Sequence, residues 1–371
     1  MGLAEKLKYA RERANLTGPQ VQEKTGIGAS SVSEFENDKR EPKLSQLQTL
    51  ATLYRRSISF FLAEGPVPRE VVLWRKKPDD SADIEARFLR LCEQYRNLEL
   101  WCDEPVDGFL PEAKLRAAEF TYADAADLAR HVRRELALGD QPAHELLRVL
   151  EDACGVKIFH RDFQPTGTAA SSKSDAFGMA ILLNAGNARW RRNHDLAHEL
   201  FHLLTWNLFR REQEDVSSVA SEREEKLATC FAGNLLMPEE SLRSALNRRA
   251  KDGKISYAAL YDVARQFDVS VESLLWRNHF LQGRSPDDAP QTQREIDAAM
   301  AYAPFLEEGP REDTKPPQWP ERYHTLAVKS LWRGEISVGR FAEYLEITRQ
   351  QAMRVAEQEV RDGEEVSIAP A

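Results

Sequence analysis

Residues 196–204 read LAHELFHLL. The spacing predicts a helix in which His198 and His202 lie one turn apart and project from the same face. Leu196, Leu200, Leu203 and Leu204 around them make that helix a buried one. Two imidazoles and a glutamate in such a place are costly unless something partners them. A zinc ion removes that cost, because two histidines one turn apart can hold one ion between them. Glu199, directly after the first histidine, can reach a water on that ion. Zinc brings the pKa of coordinated water toward about 7, and a carboxylate beside it can take the proton and return it to a leaving amine.

A catalytic zinc site needs a third protein ligand and an open position. The stretch SEREEKLATCFAGNLLMP, residues 221–238, offers three glutamates. On a helix Glu225, Ala228, Ala232 and Leu235 share one face, and Glu222 lies one turn earlier on it. Glu224 points a quarter-turn or more away. The ligand is therefore expected to be Glu225 or Glu222, with the remaining glutamates solvated, as most such charge runs are.

From about residue 124 to 280 the sequence resembles the ImmA/IrrE family of zinc metallopeptidases. The resemblance rests on the helix pair before CGVKIF (154–159), the strand GMAILLN ending at Asn184, the metal helix, and the pattern E-x-x-A-x-x-FA-x-x-LLMP from Glu225. It implies that His198, His202 and Glu225 bind Zn2+ and that Glu199 is the general base. This chain departs from the family pattern in carrying Phe201 where glycine is common and Thr229 where asparagine is common. Phe201 is expected to narrow access to the metal. No tyrosine lies between residues 203 and 256 to stabilise an oxyanion, which leaves His194 as a candidate donor or a buried structural residue.

The first 66 residues read as short helices alone. Helix, a turn at Gly26, and helix again span TGPQVQEKTGIGASSVSEFENDKREP, with Val21, Ile27, Val32 and Phe35 as a small core. Ser30, Ser31 and Ser33 are placed to reach bases or phosphates from the second helix, and Lys39 and Arg40 to contact phosphates just beyond it. Residues 3–63 resemble the Cro/repressor-like (XRE) helix-turn-helix family, which implies operator DNA as ligand and a homodimer on paired half-sites. Gly18 and Gln22 stand where that family often has glutamine and alanine, and Glu34 and Glu36 put negative charge near the DNA face.

The remainder sets limits. A chain of 371 residues with net charge −9 and 42% hydrophobic residues is long enough for two or three domains. Its acidity argues against coating nucleic acid along its whole length. The charged start MGLAEKLKYARERANL has no apolar signal core, Lys6 makes Gly2 a poor myristoylation site, and no apolar run is long enough for a membrane span. Cys92, Cys102, Cys154 and Cys230 show no metal-knuckle spacing and read as free thiols of a cytoplasmic protein.

The expected fold class is mainly α with a small α+β zincin-like domain and an all-α helix-turn-helix domain in front. The expected plan is a DNA-binding domain at 1–66, a helical connector at 67–123 and a peptidase domain at 124–282 that includes a helix-turn-helix-like segment at 256–282. A Pro-, Asp-, Glu- and Gln-rich linker at 283–320 and a helical helix-turn-helix-like segment at 321–371 complete it. The expected function is a DNA-binding regulator with a zinc endopeptidase that cuts a repressor or antitoxin-like protein, or itself, in a stress or mobile-element response. The rivals are a transcription factor whose zinc domain is a non-catalytic sensor or scaffold, and an antitoxin-like interaction protein.

Overall fold

The computed structural model describes residues 2–14, 16–54, 56, 58–62, 71–106, 110–111, 119–174, 176–210, 218–284, 288–305 and 315–358. The boundary expected at residue 66 lies outside these. The chain is mainly helical around one small four-stranded mixed sheet. No helix among the described residues is long and apolar enough to cross a membrane.

Five helices open the chain: α1 (Leu3–Arg13), α2 (Gly18–Thr25), α3 (Ala29–Glu36), α4 (Leu44–Leu53) and α5 (Ile58–Leu62). Pro19 sits in the first turn of α2, where its missing N–H costs nothing. Gly26, at φ 73°, ends α2 in the left-handed conformation that glycine adopts freely. The Gln22 side chain then accepts a hydrogen bond from the Ala29 amide at 2.9 Å, tying the end of α2 to the start of α3. Val21, Ile27, Val32 and Phe35 are buried together against α1 and α4.

The segment after this domain is more than a connector. Val72–Trp74 forms β1, and Ser81–Trp101 forms the long helix α6. The helix was legible in its periodicity. The strand was not, because three residues after a Pro-rich break carry no pattern of their own. The sheet runs β1–β3–β4–β2, with β2 at Lys157–Arg161, β3 at Ala169–Ser174 and β4 at Gly178–Asn184. β1 and β4 flank β3 antiparallel, and β2 lies parallel to β4. β3 is AASSKS, with no apolar alternation to mark it. Pairing along both edges makes it a strand despite weak intrinsic preference.

The sheet separates two apolar layers, because successive strand residues face opposite sides. Ala169, Ile181 and Leu183 face the larger core, built on α7 (Tyr122–Glu135), α8 (Leu146–Asp152), α9 (Arg189–Leu204) and α11 (Glu222–Leu236). Ala170, Ala180, Leu182, Val72 and Trp74 face a second core, shared with α6 and with α16 (Glu321–Trp332), α17 (Val338–Tyr344) and α18 (Arg349–Gln358). The C-terminal helices are thus built onto the back of the sheet, where Phe88, Tyr95, Phe159 and Tyr323 meet edge to face. Trp332 is 39% exposed and donates its indole N–H to the Val355 carbonyl.

α10 (Trp206–Arg210) follows α9, while α12 (Glu239–Arg249), α13 (Tyr257–Gln266) and α14 (Val271–Leu281) extend the larger core. The stretch expected as linker from 283 to 320 contains α15 (Ala289–Tyr302). Thr292, Ile296 and Ala299 repeat at helical spacing and are buried against α14, which the polar composition had concealed. The Thr292 hydroxyl lies 2.7 Å from His279 Nδ1, and the Tyr261 hydroxyl donates to the Ala299 carbonyl.

Candidate metal centre and DNA interface

α9 and α11 pack against each other, and the centre forms where their faces meet. The rings of His198 and His202 are 5.1 Å apart, as one helical turn requires. Glu225 approaches from α11, its Oε2 3.1 Å from His198 Nε2 and its Oε1 3.5 Å from His202 Nε2. Two atoms bound tetrahedrally to one zinc ion at about 2.0–2.1 Å lie about 3.3 Å apart. Both separations are of that size, so the three side chains fit a shared cation. The donor set of two imidazoles and one carboxylate also suits zinc. Glu199 Oε1 and Oε2, His202 Nε2 and Glu225 Oε1 are buried with no hydrogen-bond partner. Orphaned buried polar atoms are destabilising, and a shared divalent cation satisfies the ligand atoms among them.

The electrostatics follow from burial. It holds His198 down at about 3, in the neutral form that ligates a metal. Burial acts the same way on His202, but bonds to Glu224 and Glu225 outweigh it and raise it to about 9. Glu225 feels burial as an upward push, yet its two histidines bring it down to about 2. A cation therefore competes with a proton on His202. Burial lifts Glu199 to about 7 against the pull of His202 and Ser171, so it exchanges a proton near neutral pH.

Glu222 and Glu224 divide differently from expectation. Glu222 is solvated and pairs with Lys226. Glu224, expected to be solvated as well, is buried behind the centre. Its Oε1 lies 2.9 Å from His202 Nδ1, and Arg210 grips the carboxylate through both terminal nitrogens at 3.1 and 2.7 Å. A carboxylate on the far nitrogen of a ligating histidine fixes its tautomer and orientation. The adjacent pair Glu224–Glu225 carried that signal, since neighbours on a helix point about 100° apart and can reach two sides of one ring.

The fully buried ring of Phe201 packs against Phe120, Phe209 and Phe231 and lies 5.8 Å, centre to centre, from the His202 ring. His194 sits one turn before His198, ring centres 6.1 Å apart, with its buried Nδ1 3.9 Å from Asp195 Oδ1. Arg75 was missed altogether. From just past β1 it reaches Asp195 Oδ1 at 3.4 Å and Glu225 Oε2 at 3.7 Å. Nothing local in the sequence around residue 75 marks it.

At the N-terminal domain, Ser30 and Ser33 are exposed on α3 and Ser31 is half-buried. Lys39 and Arg40 are exposed just beyond the helix. Arg40 lies over the Phe35 ring and 3.3 Å from Glu34. Glu36 is drawn away from the outer face by Arg11, whose guanidinium donates to both its oxygens at 2.7 and 2.8 Å. Of the two glutamates, Glu34 is the more open, its side chain 43% exposed against 8% for Glu36.

Comparison with known proteins places two domains on this chain. The family model for the IrrE N-terminal-like domain, peptidase family M78, matches residues 151–278, and a helix-turn-helix model matches residues 7–61. The HTH-type transcriptional regulator ImmR of Bacillus subtilis (strain 168) is 34% identical over 70 residues, which are 19% of this chain and 55% of ImmR. The chain thus spans about half the length of that curated relative. The crystal structure of ComR from Streptococcus suis aligns over 97% of this chain and 96% of its own at 11% identity, with a TM-score of 0.16, too low to bear on the fold.

Proposed function

We infer that this chain, a helix-turn-helix domain joined to an IrrE N-terminal-like domain of peptidase family M78, is a DNA-binding regulator whose zinc-dependent endopeptidase cuts a repressor- or antitoxin-like protein. The observation that carries the peptidase reading is the meeting of His198, His202 and Glu225, with the ionisable, unpartnered carboxylate of Glu199 beside them. A divalent cation held by His198, His202 and Glu225 would supply an acidified water and polarise a peptide carbonyl. Glu199 removes the proton from the attacking water and delivers it to the departing amine. Glu224 and Arg210 hold the His202 ring in place. Joining a DNA reader to a peptidase puts cutting at an operator, beside a DNA-bound substrate or the chain itself, and the response served is stress or a mobile element.

The test is incubation of the zinc-loaded chain with cell lysate, followed by a search for new protein termini. New termini are expected with the loaded chain and not after chelation. A chain purified gently and found to hold no metal would remove the basis of the reading.

A second reading, a sensor or scaffold without turnover, draws support from the burial of the centre, where His198 and Glu199 are 0% exposed. It shares the metal but not the cleavage, so the same incubation separates the two.

The DNA role is tested through the turn after α3. The N-terminal domain binds its operator as a dimer, and changing Lys39 and Arg40 together to Ala removes two phosphate contacts per protomer and so four per dimer. Affinity should fall, and the slope of log K against log salt should flatten by about 3.6. An unchanged affinity in gel-shift titrations across salt would take the turn out of the interface.

A further inference from the structure

Peptide hydrolysis requires a scissile bond within hydrogen-bonding reach of Glu199. Yet His198, Glu199 and His202 are 0%, 0% and 1% exposed. The chain itself lies across the approach. Val72 and Trp74 face the second core. By strand alternation, Leu73 and Arg75 then face the side of the sheet that carries α9. Leu73 is buried there opposite Ser171 of β3. Arg75 reaches on to the ligand Glu225 and to Asp195 of the metal helix. The outer edge of β1 is closed in turn, since the Trp74 amide donates to the Ser218 carbonyl at 2.9 Å. Without β1, β3 would be the edge strand beside the metal helix. An open edge of that kind takes an extended peptide by main-chain pairing, with alternate side chains read by the face below.

The geometry points to β1 and Arg75 as an internal occluding strand that holds the place of the substrate on β3. Resting on the peptidase reading above, this also names the substrate class: an extended segment that pairs antiparallel with β3, with an apolar side chain where Leu73 lies and a basic one two residues later, where Arg75 meets Glu225 and Asp195. Cleavage proceeds only in the fraction of chains whose residues 72–75 have left the sheet, so the wild type is slowed rather than silent.

Two variants of the full zinc-loaded chain test this, read by the rate at which dipicolinate extracts zinc. Leu73→Asp puts a charge into a buried strand position and should speed extraction about tenfold or more by favouring the open state. Val72 and Ser172 are register partners on the face away from the metal. Antiparallel partners lie within disulfide reach. The double variant V72C/S172C, oxidised, should therefore slow extraction about tenfold, reversibly on reduction. A synthetic peptide of residues 71–77, VVLWRKK, should return Leu73→Asp toward the wild-type rate, and the same peptide with glutamate in place of its arginine should not.

Equal extraction from the oxidised and reduced disulfide variant overturns the proposal, even if Leu73→Asp fails to fold. So does a peptide without effect on a folded Leu73→Asp. In either case, with zinc still bound and lysate proteins still cut, the peptidase reading stands. A chain that takes up no zinc overturns both.

Discussion

Glu199→Gln is expected to keep its zinc and to lose cleavage by about 10²–10⁴-fold, the usual contribution of a positioned general base. The substitution preserves shape and removes the ionisable group. The wild-type carboxylate is fully buried, has no hydrogen-bond partner, and is raised by burial to about 7. It is therefore poised to change protonation near neutral pH, which a structural carboxylate paired to a cation would not do. The side chains placed to hold a cation are His198, His202 and Glu225, not Glu199, so metal content should remain near that of wild type. The measurement pairs metal per chain with the rate of appearance of a cleaved terminus. Cleavage at the wild-type rate would remove Glu199 from the mechanism. Activity and metal lost together would make it part of the metal cradle instead.

The second large effect separates two neighbouring glutamates. Glu225→Gln should weaken zinc retention by more than about 100-fold, and Glu224→Gln by about 10–100-fold, the range for a group acting behind a ligating histidine. Glu225 is the carboxylate within 3.1 and 3.5 Å of the two imidazole nitrogens, so its loss takes a negative charge from the metal itself. Glu224 acts through His202, and glutamine can still accept the Nδ1 hydrogen bond while giving up its ion pair with Arg210. Competition with a graded chelator ranks the two. A larger loss at Glu224 would reverse the assignment of ligand and support.

Both expectations begin from a feature that the sequence carried plainly. The four-residue spacing of His198 and His202, and the face shared by Glu225, Ala228, Ala232 and Leu235, are local properties of a helix. A helix repeats every 3.6 residues whatever it packs against. The same holds for Val21, Ile27, Val32 and Phe35 and for the turn at Gly26, so the helix-turn-helix domain was legible too. The helix of α15 was present in its spacing but masked by its polar composition.

What the sequence by itself determined, then, was which residues share a helix face, and with them the pairing of His198 with His202, the place of Glu199 beside them and the small N-terminal core. Only the tertiary structure decided that β3, with small side chains and no alternation, is a strand. It alone turned Glu224 inward onto His202, buried Phe201 among Phe120, Phe209 and Phe231, and brought Arg75 to Asp195 and Glu225. Arg75 meets Asp195 from 120 residues away. Helical periodicity is written into adjacent residues, whereas strand pairing and cross-chain ion pairs are set by which distant segments the two cores bring together.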